Sequence, residues 1–181
     1  MESLNKLRDE LSLKARNGID FTLSATLIWL LVAVIWSLSI ESYYKSVLVF
    51  MVSSLLLPTA LGLSKILKTQ WKIDSNPLQT LGLWLNFAQL FYFPFLIFVL
   101  IKMPDYFVMT YAIITGAHLF PYAWFYRTKW YAVIAGLIAV GALILALKLP
   151  NEQMFFVALY TSYLLFVLTV GLYFDVKRRK R

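Results

Sequence analysis

Six apolar runs, each near the length of a helix that crosses a bilayer, dominate this chain of 181 residues. They lie at about residues 19–40, 46–63, 78–101, 105–125, 131–147 and 153–174. At 1.5 Å per residue, roughly 20 residues cross the ~30 Å hydrocarbon core. Charged residues make up only 14% of the chain and hydrophobic ones 61%, too little charge to cover a globular surface in water. The expectation is an all-α, polytopic membrane protein. It is one helical-bundle domain over residues 1–181, with six transmembrane helices and the lipid bilayer as its main solvent.

A net charge of +8 raises nucleic acid as a partner. The basic residues, however, sit at the ends of apolar runs and form no continuous basic face, so no nucleic-acid partner is expected. Drawn with six spans, fourteen of the 17 basic residues fall on one side. These are Lys6, Arg8, Lys14, Arg16, Lys65, Lys68, Lys72, Arg127, Lys129 and the five of the tail Lys177–Arg181. Lys45, Lys102 and Lys148 fall on the other side. The positive-inside rule then places both termini in the cytoplasm. The tail, 175–181, orients the last span and suits anionic lipids, at about 1 kcal/mol per basic residue near the surface.

Residues 1–18 read as a short interfacial helix, with Leu4, Leu7 and Leu11 at helical spacing and Asn17-Gly18 interrupting it. The following apolar run is too long for a cleaved signal and is expected to be retained. The absence of cysteine excludes disulfides, thiolate zinc sites and a cysteine nucleophile. The fifth span carries small residues at four-residue steps: Ala132 and Gly136, Ala135 and Ala139, Ala142 and Ala146. Such faces let backbones approach closely, so this helix is expected inside the bundle, with a homo-oligomer contact as the alternative.

The third and fourth spans, joined by Lys102-Met-Pro-Asp105, hold the chain's polar candidates. His118 is the only histidine, and Asn86 and Gln89 are amides within a span. If the two helices form an antiparallel hairpin, Asn86 and His118 lie roughly 10 to 12 Å from the cytoplasmic end. Gly82, Asn86, Gln89 and Phe93 share one stripe; Tyr111, Thr115, His118 and Tyr122 share another. Pro58, Pro94 and Pro121 break otherwise helical runs. Pro94 deprives the Leu90 carbonyl of its donor and Pro121 that of Ala117, so each needs a donor from elsewhere.

One reading is a cytoplasm-facing cavity between the third and fourth helices. There Asn86, Gln89 and His118 would hydrogen-bond a small polar or amphipathic ligand that is bound or transported. Tyr111, Thr115 and Tyr122 would line it, and Tyr160, Thr161, Ser162 and Tyr163 would extend the lining. The alternative is a structural or accessory protein without a ligand, its polar groups holding helices together at about 0.6 to 2 kcal/mol per contact. Asp20, at the start of the first span, is expected to cap free helix amides, with an ion-binding carboxylate as the other reading.

A third reading is a membrane-embedded lipid-modifying enzyme using His118 for acid–base work. No residue is assigned as catalytic, because nothing marks Ser53, Ser54 or Ser162 as the partner in a serine–histidine dyad. One histidine and no mid-span acid leave no metal site, and no cofactor is implied.

The stretch Pro77-Leu-Gln-Thr-Leu-Gly-Leu-Trp-Leu-Asn-Phe-Ala-Gln-Leu-Phe-Tyr-Phe-Pro94 resembles a bacterial family of multi-span proteins classified only as a domain of unknown function. Tyr111-Ala-Ile-Ile-Thr-Gly-Ala-His-Leu-Phe-Pro-Tyr122 and Lys14-Ala-Arg-Asn-Gly-Ile-Asp20 share the likeness, which extends over most of the chain. The resemblance implies a bacterial inner or cytoplasmic membrane and supplies no activity.

Overall fold

A backbone in hydrocarbon must satisfy its own hydrogen bonds, and among the described residues this chain does so with helices alone. The computed structural model describes residues 4–179. Residues 1–3 of the interfacial segment and Lys180 and Arg181 of the tail lie outside that range. Five helical stretches are long and apolar enough to cross a membrane: Arg16–Ser37, Ser42–Leu67, Gln79–Lys102, Lys129–Lys148 and Asn151–Arg179. The remaining apolar run is also helical but broken at Phe120. It comprises a 3-10 turn Pro104–Tyr106, α7 (Phe107–Leu119) and α8 (Pro121–Phe125).

Each mid-span proline stands just inside a new helix, with the break upstream of it. Helix α3 (Ser42–Ser53) gives way to α4 (Leu56–Leu67), which holds Pro58 in its first turn. Helix α5 (Gln79–Ala88) passes through a 3-10 turn, Gln89–Tyr92, into α6 (Phe93–Lys102), with Pro94 as its second residue. A proline ring removes the donor for the carbonyl four residues back and clashes with it, so the chain tightens there. The two carbonyls expected to lack donors find them in the backbone. Leu90 accepts from the N–H of Phe93, and Ala117 from the N–H of Phe120 at 3.3 Å.

The core is built on the first and last long helices. Helices α2 (Ile19–Ser37) and α10 (Phe155–Arg179) share the most extensive contact, and both carry fully buried residues, Trp29, Val32 and Trp36 on α2 and Leu165, Leu168 and Leu172 on α10. Helix α9 (Lys129–Lys148) packs on α7 and α10, while α3 and α4 pack on α2. Helix α6 leans on α7 and α3, and α5 buries no residue. On α9 the small face works as expected over Ala135, Ala139, Ala142 and Ala146. A Cβ at Gly116 would lie 2.8 Å from the Ala135 carbonyl oxygen and 3.1 Å from the Ala139 nitrogen. Backbones this close exclude a larger side chain. The Ala132–Gly136 pair differs: Gly136 is exposed, with nothing within 4 Å of a Cβ.

Helix α1 (Leu4–Lys14) folds back across one end of the bundle with Leu11 buried. Arg179 Nη1 donates to Ser12 Oγ at 3.2 Å, so both ends of the described chain meet at that end. The connections α2–α3, α6–α7 and α9–α10 converge at the opposite end, around one recess.

Candidate functional site

Helices α5 and α8 meet as an antiparallel pair. A Cβ on Gly82 would come within 2.8 Å of the Phe125 ring, so a glycine is what lets the helices touch. One turn on, the Tyr122 hydroxyl donates to Asn86 Oδ1 at 2.9 Å, and Asn86 Nδ2 donates to the Gly82 carbonyl at 3.0 Å. The His118 ring lies edge-on to Tyr122, 5.5 Å between centroids. Gln89 follows α5, and the turn it begins packs against α7. Gln89 and His118 are both half-buried, and neither makes a side-chain hydrogen bond to another described residue.

Tyr111 and Thr115 continue the stripe of His118 and Tyr122 but meet different neighbours. The Tyr111 hydroxyl donates to Ser53 Oγ at 3.0 Å and its ring stacks on Trp29 at 4.9 Å, so it ties α7 to α3 and α2. Thr115 Oγ1 donates to the Tyr111 carbonyl at 2.9 Å. The structure therefore gathers Asn86, Tyr122 and His118 and leaves Tyr111 and Thr115 in a separate contact.

The three serines considered as dyad partners are all engaged elsewhere. Ser53 bonds Tyr111, Ser54 donates to the Met51 carbonyl at 2.6 Å, and Ser162 donates to the Thr26 carbonyl at 2.9 Å. Thr161 bonds the Val157 carbonyl and Tyr160 that of Leu137, while Tyr163 is exposed. These groups tie α10 to itself, to α2 and to α9. Among the described residues no group of three His, Cys, Asp or Glu could hold a metal ion.

Asp20 does not make the helix cap expected of it. Its Oδ2 accepts from Thr69 Oγ1 and Trp71 Nε1, each at 2.6 Å, and Trp71 stacks on Phe21 at 4.8 Å. This buried carboxylate pins the 68–76 segment over the start of α2. The segment is held again at Asn76, whose Nδ2 donates to the Leu7 carbonyl and to Glu10 Oε2 at 2.8 and 2.7 Å. Hydrogen bonds from Lys14 and then from Asn76 hold Glu10 below the usual carboxylate range.

A second polar centre, which the sequence does not signal as such, joins the first and last helices of the described chain. Arg16, Asn17 and Gly18 all take left-handed backbone angles, with φ of 47°, 54° and 72°. This turn buries Asn17 completely. Its Nδ2 donates to Asp175 Oδ2, its Oδ1 accepts from Ser12, and its carbonyl accepts from Tyr131 at 2.7 Å. Arg179 pairs with Asp175 at 3.0 Å, and Arg127 pairs with Asp9 at 2.5 Å. The available signals were Asn-Gly, which tolerates left-handed angles, and Asp175 one turn before Arg179.

With this geometry in place, comparison with known proteins adds one result. The model of a family described as "Family of unknown function (DUF7010)" matches residues 4–175. No curated protein and no solved structure matches. The chain belongs to that family.

Proposed function

We propose that this member of the DUF7010 family crosses a bacterial cytoplasmic membrane six times with both termini in the cytoplasm. There it binds a small amphipathic ligand beside α5, α7 and α8. The broken segment Pro104–Phe125 supplies the sixth crossing, since its pieces together reach the ~30 Å needed at 1.5 Å per residue. The concentration of basic residues on the side of both termini supports the orientation.

The observation that carries the ligand reading is Gln89 and His118, both half-buried and without a side-chain partner among the described residues, with Gln89 at the end of a helix that buries nothing. Polar groups at membrane depth are costly unless something bonds them. An amide and an imidazole can each donate and accept, so a polar headgroup would satisfy both. The exposed Trp84, Phe87 and Phe91 offer apolar surface alongside for its tail. The Tyr122–Asn86 bond favours a second reading, in which the cluster only joins α5 to α8 and the protein has a structural role.

Thermal unfolding in detergent, with and without native lipid extract, separates the two readings. The extract should raise the midpoint of the parent, and Gln89→Leu and His118→Gln should each lose that increment. An unmoved parent, or variants that respond as the parent does, would leave the structural reading. Reporter fusions at the two termini test the orientation: signals from opposite faces reject six crossings.

A further inference from the structure

At the end of the bundle opposite the termini, the connections α2–α3, α6–α7 and α9–α10 border an open recess of about 400 Å³. Its charged lining is Glu41, Lys45, Asp105 and Glu152, with Asn151 beside them. Lys45 is the unusual member. It is only 8% exposed, although lysine is rarely buried without a charge partner. Its Nζ donates to the Trp36 carbonyl at 3.2 Å, in the last turn of α2, and lies 5.6 Å from the centre of the Trp36 ring.

Those contacts give the ammonium a helix C-terminus and an aromatic face. They occupy one of its three donors. No ion pair joins Lys45 to a described acid, and none joins Glu41, Asp105 or Glu152 to a described base. The indole N–H of Trp36, the residue whose carbonyl Lys45 holds, is also buried and without a partner among the described residues. A buried cation thus meets the same recess as three carboxylates, the exposed Glu41 and Glu152 and the half-buried Asp105, none of them paired with a described base. Taking an ammonium out of water without a counter-charge is costly, and an anion seated on it offsets that cost.

We infer that this recess binds a small zwitterion, its carboxylate or phosphate on Lys45 and its primary ammonium between Asp105, Glu152 and Glu41. An amino acid and a phosphoethanolamine headgroup share that chemistry. The site lies at the far end of the bundle from Gln89 and His118 and does not depend on their role.

Calorimetric titration of the purified full chain tests the inference with glycine and glycerophosphoethanolamine. Inorganic phosphate and ethanolamine serve as single-charge controls. At least one zwitterion should bind saturably, and each control should bind about 10-fold more weakly or worse. Lys45→Met should abolish binding. Because Lys45 also closes α2, the rim double variant Asp105→Asn/Glu152→Gln is the decisive one, and it should weaken binding by a similar factor while unfolding like the parent. No zwitterion binding, a control that binds as tightly, or an unaffected rim variant would overturn the inference. Preference for glycine identifies a free solute. Preference for glycerophosphoethanolamine, with stabilisation in phosphatidylethanolamine but not phosphatidylglycerol nanodiscs, identifies a lipid headgroup.

Discussion

Asn17 Nδ2 donates to Asp175 Oδ2 at 3.0 Å, joining residues 158 positions apart in the chain. Asn17 is fully buried at φ 54°, so its side chain and its backbone are both committed to this place. Asn17→Ala removes a hydrogen bond to a charged group and puts alanine at a left-handed angle. Together these should lower unfolding free energy by about 2 to 4 kcal/mol. Asn17→Gly should recover about 1 kcal/mol of that, because glycine tolerates the angle. Unfolding in mixed micelles checks both values.

The Asp20 carboxylate is the anchor of the 68–76 segment. Asp20→Ala should release Trp71 and loosen the backbone around the already exposed Lys68 and Lys72, so that trypsin can cut there, while α2 and α10 stay packed. Faster cleavage at those lysines, with a red-shifted Trp71 emission in a single-tryptophan background, is the expected result.

Two glycines should respond in opposite directions to the same substitution. A Cβ on Gly171 would come within 2.6 Å of the Trp130 ring, so Gly171→Ala should cost about 1 to 3 kcal/mol. Gly136 has open space around it, and Gly136→Ala should gain about 0.5 to 1 kcal/mol from helix propensity. Paired unfolding curves give the sign of each.

A double-mutant cycle over Tyr122→Phe and Asn86→Leu should give a coupling energy of about 0.6 to 1.7 kcal/mol. Zero coupling would remove the tie between α5 and α8.

Glu10 titrates below its ordinary value because Lys14 and Asn76 hydrogen-bond its charged form. A lowered folded-state pKa means that stability is present above the unfolded value of about 4.3 and is lost as pH falls through the folded value. Hydrogen-exchange protection in α1 and in residues 68–76, taken relative to the intrinsic rate at each pH, should therefore fall below about pH 4, and Glu10→Gln should flatten that dependence.

Hydropathy made the helical character and the approximate bounds of the long stretches readable, because lipid leaves a backbone few other solutions. The prolines were readable as breaks, but their consequences were not. Tighter turns one residue upstream satisfy the Leu90 and Ala117 carbonyls, a local adjustment that periodicity does not encode. The Asn86–Tyr122 contact follows from pairing two stripes in an antiparallel hairpin. Tyr111 lies on the same stripe yet meets Ser53 of α3 and Trp29 of α2 in place of α5, and Thr115 bonds the Tyr111 carbonyl of its own helix. The Asn17–Asp175 bond was beyond reach, since neither residue signals which remote segment will approach it.

The pairing of α2 with α10 bears on how the molecule is made. A ribosome delivers α2 early and α10 last, so α2 meets α3, α4 and, through Trp29 and Tyr111, α7 before the helix with which it shares its largest contact arrives. A nascent chain stalled before Phe155 therefore holds α2 without its principal neighbour, and the core is completed only when the last helix docks.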